Sequence, residues 1–433
     1  MNKLFFTRSV FLLILSSIIG RVVTFILLPN TPSNFAPDEG TYANLAEWVS
    51  SGKSVKNYPS YGENLYESSR ALILPAVIFN RIGLNSLDSV RLVSNIYGVL
   101  SICVIALFLS IIMTRNSLLF KSLLMKKTQI VIIFAIFSFL PSHFLWSVLG
   151  LRESAIEFFV ICAFLTFYFI FYISTKNRAI IYLLLYATIQ LSFYSRPQVA
   201  LCLCASLTLF CLVNYRNRKS RRLLIVLGIS CVLNLSYLSN GSSTTNNSID
   251  TYDSFATNNS SGDDNSSGDD NNKARIVLNT FLDKYKFNQV NAKSIITRPN
   301  CKSYLDSEVN VRKYLAYPIC IAAIPAYTSA TFLFRPALGV DYFPGIGLMA
   351  IGENILWFAL VVFIITLIIR NRKISHIKVI YPALYFFLMY VILAGLYEGN
   401  MGTAFRHKSL CLPFLLFFIA VIMVPKNRNK LIV

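Results

Sequence analysis

The chain alternates between long apolar runs and short polar connections, and that spacing predicts helices that cross a lipid layer. The runs extend over about 18 to 24 mostly aliphatic residues, and at a rise of about 1.5 Å per residue each spans a hydrocarbon core of about 30 Å. They fall at Ser9 to Leu28, Val90 to Met113, Gln129 to Trp146, Ser154 to Ile173, Ile180 to Tyr194, Gln198 to Val213, Leu223 to Ser239, Ile351 to Ile369, Lys378 to Tyr397 and Ser409 to Val424. The pattern predicts an all-α polytopic membrane protein with about ten transmembrane helices.

Four stretches divide the remainder. Residues 1–239 form an N-terminal transmembrane core, interrupted by a first loop at 29–89 that carries short amphipathic helices. One of these helices begins at Pro37-Asp38-Glu39-Gly40-Thr41-Tyr42. Another covers Ala71 to Phe79, which is too short to span and contains Pro75, so an interfacial or embedded helix is expected there. Residues 240–273 are rich in Ser, Asn, Asp and Gly and bury too little apolar area to offset their ordering entropy, so disorder is expected. Residues 274–350 read as an extracytoplasmic segment whose apolar part, Tyr314 to Phe334, holds Pro318 and Pro325 and is expected to be re-entrant or interfacial. Residues 351–433 carry the last helices.

Composition agrees with this pattern and adds an orientation. Hydrophobic residues make up 55% of the 433 positions and charged residues 14%, against about 25% in soluble domains. The mean hydropathy is +0.57. Half of the 40 Lys and Arg residues gather in short connections, around Lys3, Arg115, Lys176, Arg216, Arg370 and Lys426, and none of the acids lies among them. With about ten crossings every cluster falls on one side, which the positive-inside rule makes cytoplasmic, together with both termini. The net charge of +20 is therefore a topology signal, spread over membrane-flanking loops and not gathered into a nucleic-acid-binding patch. Arg21 interrupts the first apolar run and no small-residue cleavage site follows, so an uncleaved first helix is expected. The nine Cys lie mostly inside apolar runs. Only Cys301 and Cys320 fall outside them on the outer side, and no C-x-x-C pair points to zinc.

Candidate chemistry lies on the outer side. Asp38 and Glu39 follow a Pro at a helix start, where acids commonly complement the helix dipole. The alternative role is a general base acting on a hydroxyl, or a pair holding a divalent cation. Arginines recur near the outer ends of apolar segments, at Arg70, Arg81, Arg91, Arg152, Arg196, Arg335 and Arg406, whereas Lys is scarce there. A planar guanidinium fork suits phosphate, although it also anchors a helix at the interface. Glu153, Glu157, Glu353 and Glu398 lie in the outer half of helices, where charge is costly unless paired. His143 and His407 read as hydrogen-bonded groups at helix ends. A divalent cation stays open as a cofactor, and there is no Gly-rich phosphate loop to hold a nucleotide.

The order D-E-x-x-Y-x-x-x-A, a Gly soon after, an apolar Pro-containing segment ending in Gly, and then R-L-x-S opening a helix occupies Asp38, Glu39, Tyr42, Ala46, Gly52, Gly83, Arg91, Leu92 and Ser94. This order resembles the N-terminal part of the type C glycosyltransferase superfamily, in its aminoarabinose-transferase and protein O-mannosyltransferase branch. Weaker likenesses follow at Pro141-Ser142 before Arg152-Glu153, and at Arg406 before Pro413. Arg196-Pro197 stands where many relatives carry Lys-Gly. The resemblance implies an inverting transferase that moves a sugar from a polyprenyl-phosphate donor to an extracytoplasmic acceptor. In that scheme Asp38 or Glu39 is the base, and Tyr42, Arg70, Arg91, Arg152, Glu153, Arg196, Arg335 and Arg406 are substrate-binding candidates. Membrane lipids and the lipid-linked sugar are the implied partners. Two other readings stay open: a polysaccharide polymerase or ligase, and a transporter of lipid-linked sugars, although no internal repeat supports the transporter.

Overall fold

The computed structural model describes residues 2–33, 36, 38–59, 62–114, 127–172, 178–241, 328–330, 332–334, 347–370, 381–397 and 401–422. Among these residues the fold is helical and has no strands. The helices are α1 (Asn2–Leu27), α2 (Asp38–Ser50), α3 (Gly62–Glu67), α4 (Arg70–Arg81), α5 (Ser86–Thr114), α6 (Lys127–Phe139), α7 (Pro141–Val148) and α8 (Glu153–Tyr172). They continue as α9 (Arg178–Ser195), α10 (Pro197–Val213), α11 (Arg218–Gly241), α12 (Gly347–Arg370), α13 (Tyr381–Tyr397), α14 (Met401–Lys408) and α15 (Leu412–Ile422).

Among the described residues, three helical segments are long and apolar enough to cross a membrane: Arg8–Leu27, Ser86–Leu107 and Glu153–Phe171. Ala179–Ser195, Pro197–Val213, Ala350–Thr366 and Tyr381–Gly395 are shorter apolar helices. The polarity of α1 supports a lipid surround. It exposes Phe11, Leu12, Ile19, Val22, Val23 and Ile26 while burying Ser17 and Arg21 completely, an inside-out arrangement that is stable only where the outside is itself apolar.

The expected single crossing from Gln129 to Trp146 is corrected by the structure. α6 ends at Phe139, and α7 begins at Pro141, after Leu140 in an extended conformation. Pro141 has no N–H and restricts the residue before it, so the chain restarts a helix there instead of continuing one. The freed donor at Ser142 is satisfied by Glu353 of α12, whose carboxylate accepts its N–H at 2.7 Å. The last expected run is also trimmed, since Ser409–Cys411 forms a 3-10 turn ahead of α15. The expectations for 242–327, including the disordered tract, Cys301, Cys320 and the proline-bearing segment up to residue 327, lie outside the described residues, as do Arg335 and Glu398.

Two apolar clusters position everything else. The larger surrounds α8, where Phe164 meets Phe386 of α13 and Phe414 of α15 with ring centroids 5.4 and 4.5 Å away, and Phe167 meets Phe210 of α10 at 5.6 Å. The smaller joins Tyr42, Leu45 and Ala46 of α2 to Leu72 and Ile73 of α4, Val90 of α5, Trp146 of α7 and Phe405 of α14. This second cluster is the floor on which the first loop rests.

The helix expected over Ala71 to Phe79 is α4, which buries Leu72, Ile73, Ala76 and Val77 and exposes Leu74, Ile78 and, just beyond its end, Ile82. Pro75 lies within this helix and cannot donate to the carbonyl of Ala71. Tyr97 of α5 takes over that acceptor, its hydroxyl donating to the Ala71 carbonyl at 2.9 Å. The proline is thus accommodated by a neighbouring helix, which takes up the acceptor it leaves free.

Candidate functional site

Consecutive residues at a helix start project in different directions, and the acid pair shows the consequence. Glu39 is 0% exposed, and Arg91 of α5 grips both its oxygens, through Nε at 2.6 Å and Nη2 at 3.2 Å. The same guanidinium donates to the carbonyls of Pro29 and Thr31 at 2.8 and 3.1 Å, and Ser33 N donates to Glu39 at 2.8 Å. Gly150, at φ 63°, lets the α7–α8 turn pass beneath, where a Cβ would lie 3.3 Å from Glu39 Oε1. Glu39 and Arg91 therefore fasten the ends of α1 and α2 to α5. Neither the base role for Glu39 nor the phosphate role for Arg91 fits this geometry, because all three nitrogens of Arg91 already donate and both groups are sealed from solvent.

Asp38 is different. Its side chain is 50% exposed, and one oxygen, Oδ2, accepts from Arg406 Nη1 of α14 at 2.7 Å. The contact joins residues 368 positions apart, so the C-terminal part of the chain completes a site begun in the first loop. Tyr42, Arg152 and Arg406 interact electrostatically with one another and with both Asp38 and Glu153. Burial pushes the Tyr42 phenol above its ordinary value, so it remains a neutral donor. Burial opposes the charge on Arg406, yet Glu153 and Asp38 more than offset it and hold the guanidinium above its ordinary value.

Arg152 lies in the turn before α8 and donates from Nη1 to the hydroxyl and carbonyl of Ser68, at 2.8 and 3.2 Å. Glu153 opens α8, with Oε1 3.3 Å from His407 Nε2. The same His407 nitrogen meets the Arg196 guanidinium, which hangs from the extended residue ahead of Pro197. A neutral imidazole accepts from Arg196, whereas an imidazolium donates to Glu153. Arg70 pairs with Glu67 and lies between the rings of Tyr66 and Tyr194, 5.4 and 5.6 Å from their centroids.

No family model, curated protein or solved structure matches this chain.

Of the residues expected at the site, the structure brings together Asp38, Tyr42, Arg152, Glu153, Arg196 and Arg406, leaves Arg70 with Glu67, Tyr66 and Tyr194, and places Glu39 and Arg91 in the scaffold. No three His, Cys, Asp or Glu side chains gather into a metal-holding group among the described residues. Asp38 and Glu39, adjacent in sequence, have separate partners, Arg406 and Arg91. His407 is the participant that sequence reading undervalued. It stands between Arg406, which reaches Asp38, and Lys408, which donates to the carbonyl of Leu333 at 3.2 Å and to the side chain of Asn354. Three adjacent polar residues on one short helix before an apolar run were its only signal.

Proposed function

We propose that the chain is an integral membrane glycosyltransferase that moves a sugar from a polyprenyl-phosphate donor to an extracytoplasmic hydroxyl, with Asp38 as base. The observation that carries this reading is the half-exposed Asp38 carboxylate 2.7 Å from the Arg406 guanidinium, with Arg152 and Tyr42 beside them. The first-loop pattern resembling type C glycosyltransferases supports it as well. So does the charge balance. Asp38 and Glu153 stand against Arg152, Arg196 and Arg406, which leaves one net positive charge when His407 is neutral, matched to the single negative charge of a phosphodiester.

In the proposed reaction the acceptor oxygen attacks the anomeric carbon from the face opposite the phosphate. The new C–O bond forms as the C–O bond to phosphate breaks, and configuration inverts. The acceptor proton passes to Asp38, and the leaving polyprenyl phosphate carries away the bonding electron pair. Arg406 and Arg152 offer forked donors to the oxygens on which that charge gathers. Glu39 and Arg91 take no part beyond holding α2 in place. The proposal includes about ten crossings with both termini cytoplasmic and this site on the opposite face, following the distribution of Lys and Arg.

The test uses the full chain in proteoliposomes with a panel of polyprenyl-phosphate hexoses and pentoses, scoring release of polyprenyl phosphate. Asp38→Asn is expected to lower the rate by about 10²-fold or more while leaving the melting temperature in place. Glu39→Gln is expected to act on stability instead, by about 3–5 kcal/mol, because it leaves Arg91 buried without its counter-ion. Undiminished release by Asp38→Asn overturns the base assignment. A ladder of repeat units among the products points to a polymerase.

A further inference from the structure

Below the site just described, a second polar group is enclosed by α1, α7 and α8. Arg21 is 0% exposed; its Nε donates to Ser147 Oγ at 2.9 Å, and its Nη1 reaches the Ser138 carbonyl and the Ser17 hydroxyl. His143 Nδ1 lies 3.0 Å from Glu157 Oε2, with the His143 ring against that of Phe137, centroids 4.3 Å apart and planes tilted by 30°. The Glu157 carboxylate is the charge that acts on Arg21. Three polar atoms of this group, Arg21 Nη2, His143 Nε2 and Glu157 Oε1, are buried with no hydrogen-bond partner among the described residues. Each such atom costs about 1–3 kcal/mol, more when charged, and the cost is unrelieved in a lipid-surrounded bundle.

The character of the three atoms identifies what meets them. Arg21 Nη2 can only donate, and the carboxylate Oε1 can only accept. A neutral His143 that donates its Nδ1–H to Glu157 presents Nε2 as a second acceptor, whereas an imidazolium donates there. An anion would be repelled by Glu157 and a metal cation by Arg21, and neither satisfies donors and acceptors together. A small molecule that both donates and accepts does so.

We propose that Arg21, His143 and Glu157 hold a buried cluster of water molecules inside the helix bundle. Sites of this kind, with two to four polar partners per molecule, are where proteins retain internal water. Glu157 stands one turn of α8 from Glu153, whose Oε2 is likewise buried without a partner among the described residues. The cluster therefore places exchangeable protons one helical turn beneath Glu153, whether or not the chain is a transferase.

X-ray hydroxyl-radical footprinting of the full chain in nanodiscs tests this, because radicals formed from bound water oxidise the side chains that touch it. His143 and Phe137 are each 2% exposed, while Phe167 and Phe210, at 0%, lie in the apolar core. The expected result is oxidation of His143 and Phe137 at least about fivefold above Phe167 and Phe210. Equal labelling of the four overturns the proposal. In a chain carrying both Arg21→Leu and Glu157→Leu, labelling of His143 and Phe137 is expected to fall to the level of Phe167. Unchanged labelling in that variant, with Phe167 still protected as in a folded chain, would also overturn it. If the variant does not fold, the wild-type comparison decides alone.

Discussion

Lys408 shows how far packing alone can change one side chain. Burial lowers its ammonium to about 7 against the partial support of Glu353 and Cys411, and a neutral amine still has two N–H groups for the Leu333 carbonyl and Asn354. Between about pH 7 and the unfolded value near 10.4, the unfolded chain binds this proton and the folded chain does not, so stability rises with pH across that window. Melting curves from pH 7 to 9 are expected to show the wild type gaining up to about 2 kcal/mol relative to Lys408→Met. Parallel curves would show that Lys408 does not titrate there. Nothing in the residue order around Lys408 announces this, since Arg406-His407-Lys408 reads as a basic helix end. By contrast, Asp38 was legible, because an acid beside a predicted membrane surface stands out by itself. Its neighbour Glu39 looked equivalent and is not, since the two project from α2 in different directions and only one of them meets α5.

At the scale of elements, the contact of α5 with α7 governs whether the buried polar group is held. A Cβ at Gly98 would lie 2.4 Å from Ser147 Cβ and 2.9 Å from its Oγ, the atom that Arg21 Nε donates to. Gly98→Ala is therefore expected to cost about 1–3 kcal/mol, read as a lower melting temperature, by forcing α5 from α7 and loosening Arg21. An unchanged melting temperature would mean that the two helices adjust freely. Helix identity and most boundaries followed from apolar run length, as at α5, α8 and α10. The break between α6 and α7 did not, because Pro141 inside an apolar run is compatible with a kink or a stop. Glu353, more than 200 residues away, supplies the acceptor that favours the stop.

For the whole molecule, the distribution of charge about the bundle makes a topological prediction. Lys53 and Lys56 in the first loop and Arg216 and Arg218 between α10 and α11 are all exposed. With membrane-impermeant thiol reagents on oriented vesicles, Lys53→Cys and Arg216→Cys are expected to label from opposite faces. Labelling from the same face would overturn the orientation and, with it, the placement of Asp38 outside. The sequence by itself determined that the chain is helical, with segments long and apolar enough to cross a membrane, because hydrophobic run length is a local property and each helix satisfies its own backbone. It also marked the first-loop acid and the arginines at the ends of apolar segments. Only the tertiary structure decided which of them meet. Arg406 reaches Asp38 across 368 positions and Arg91 takes Glu39 out of reach, and such pairings depend on how helices rotate and pack, which no local pattern of residues specifies.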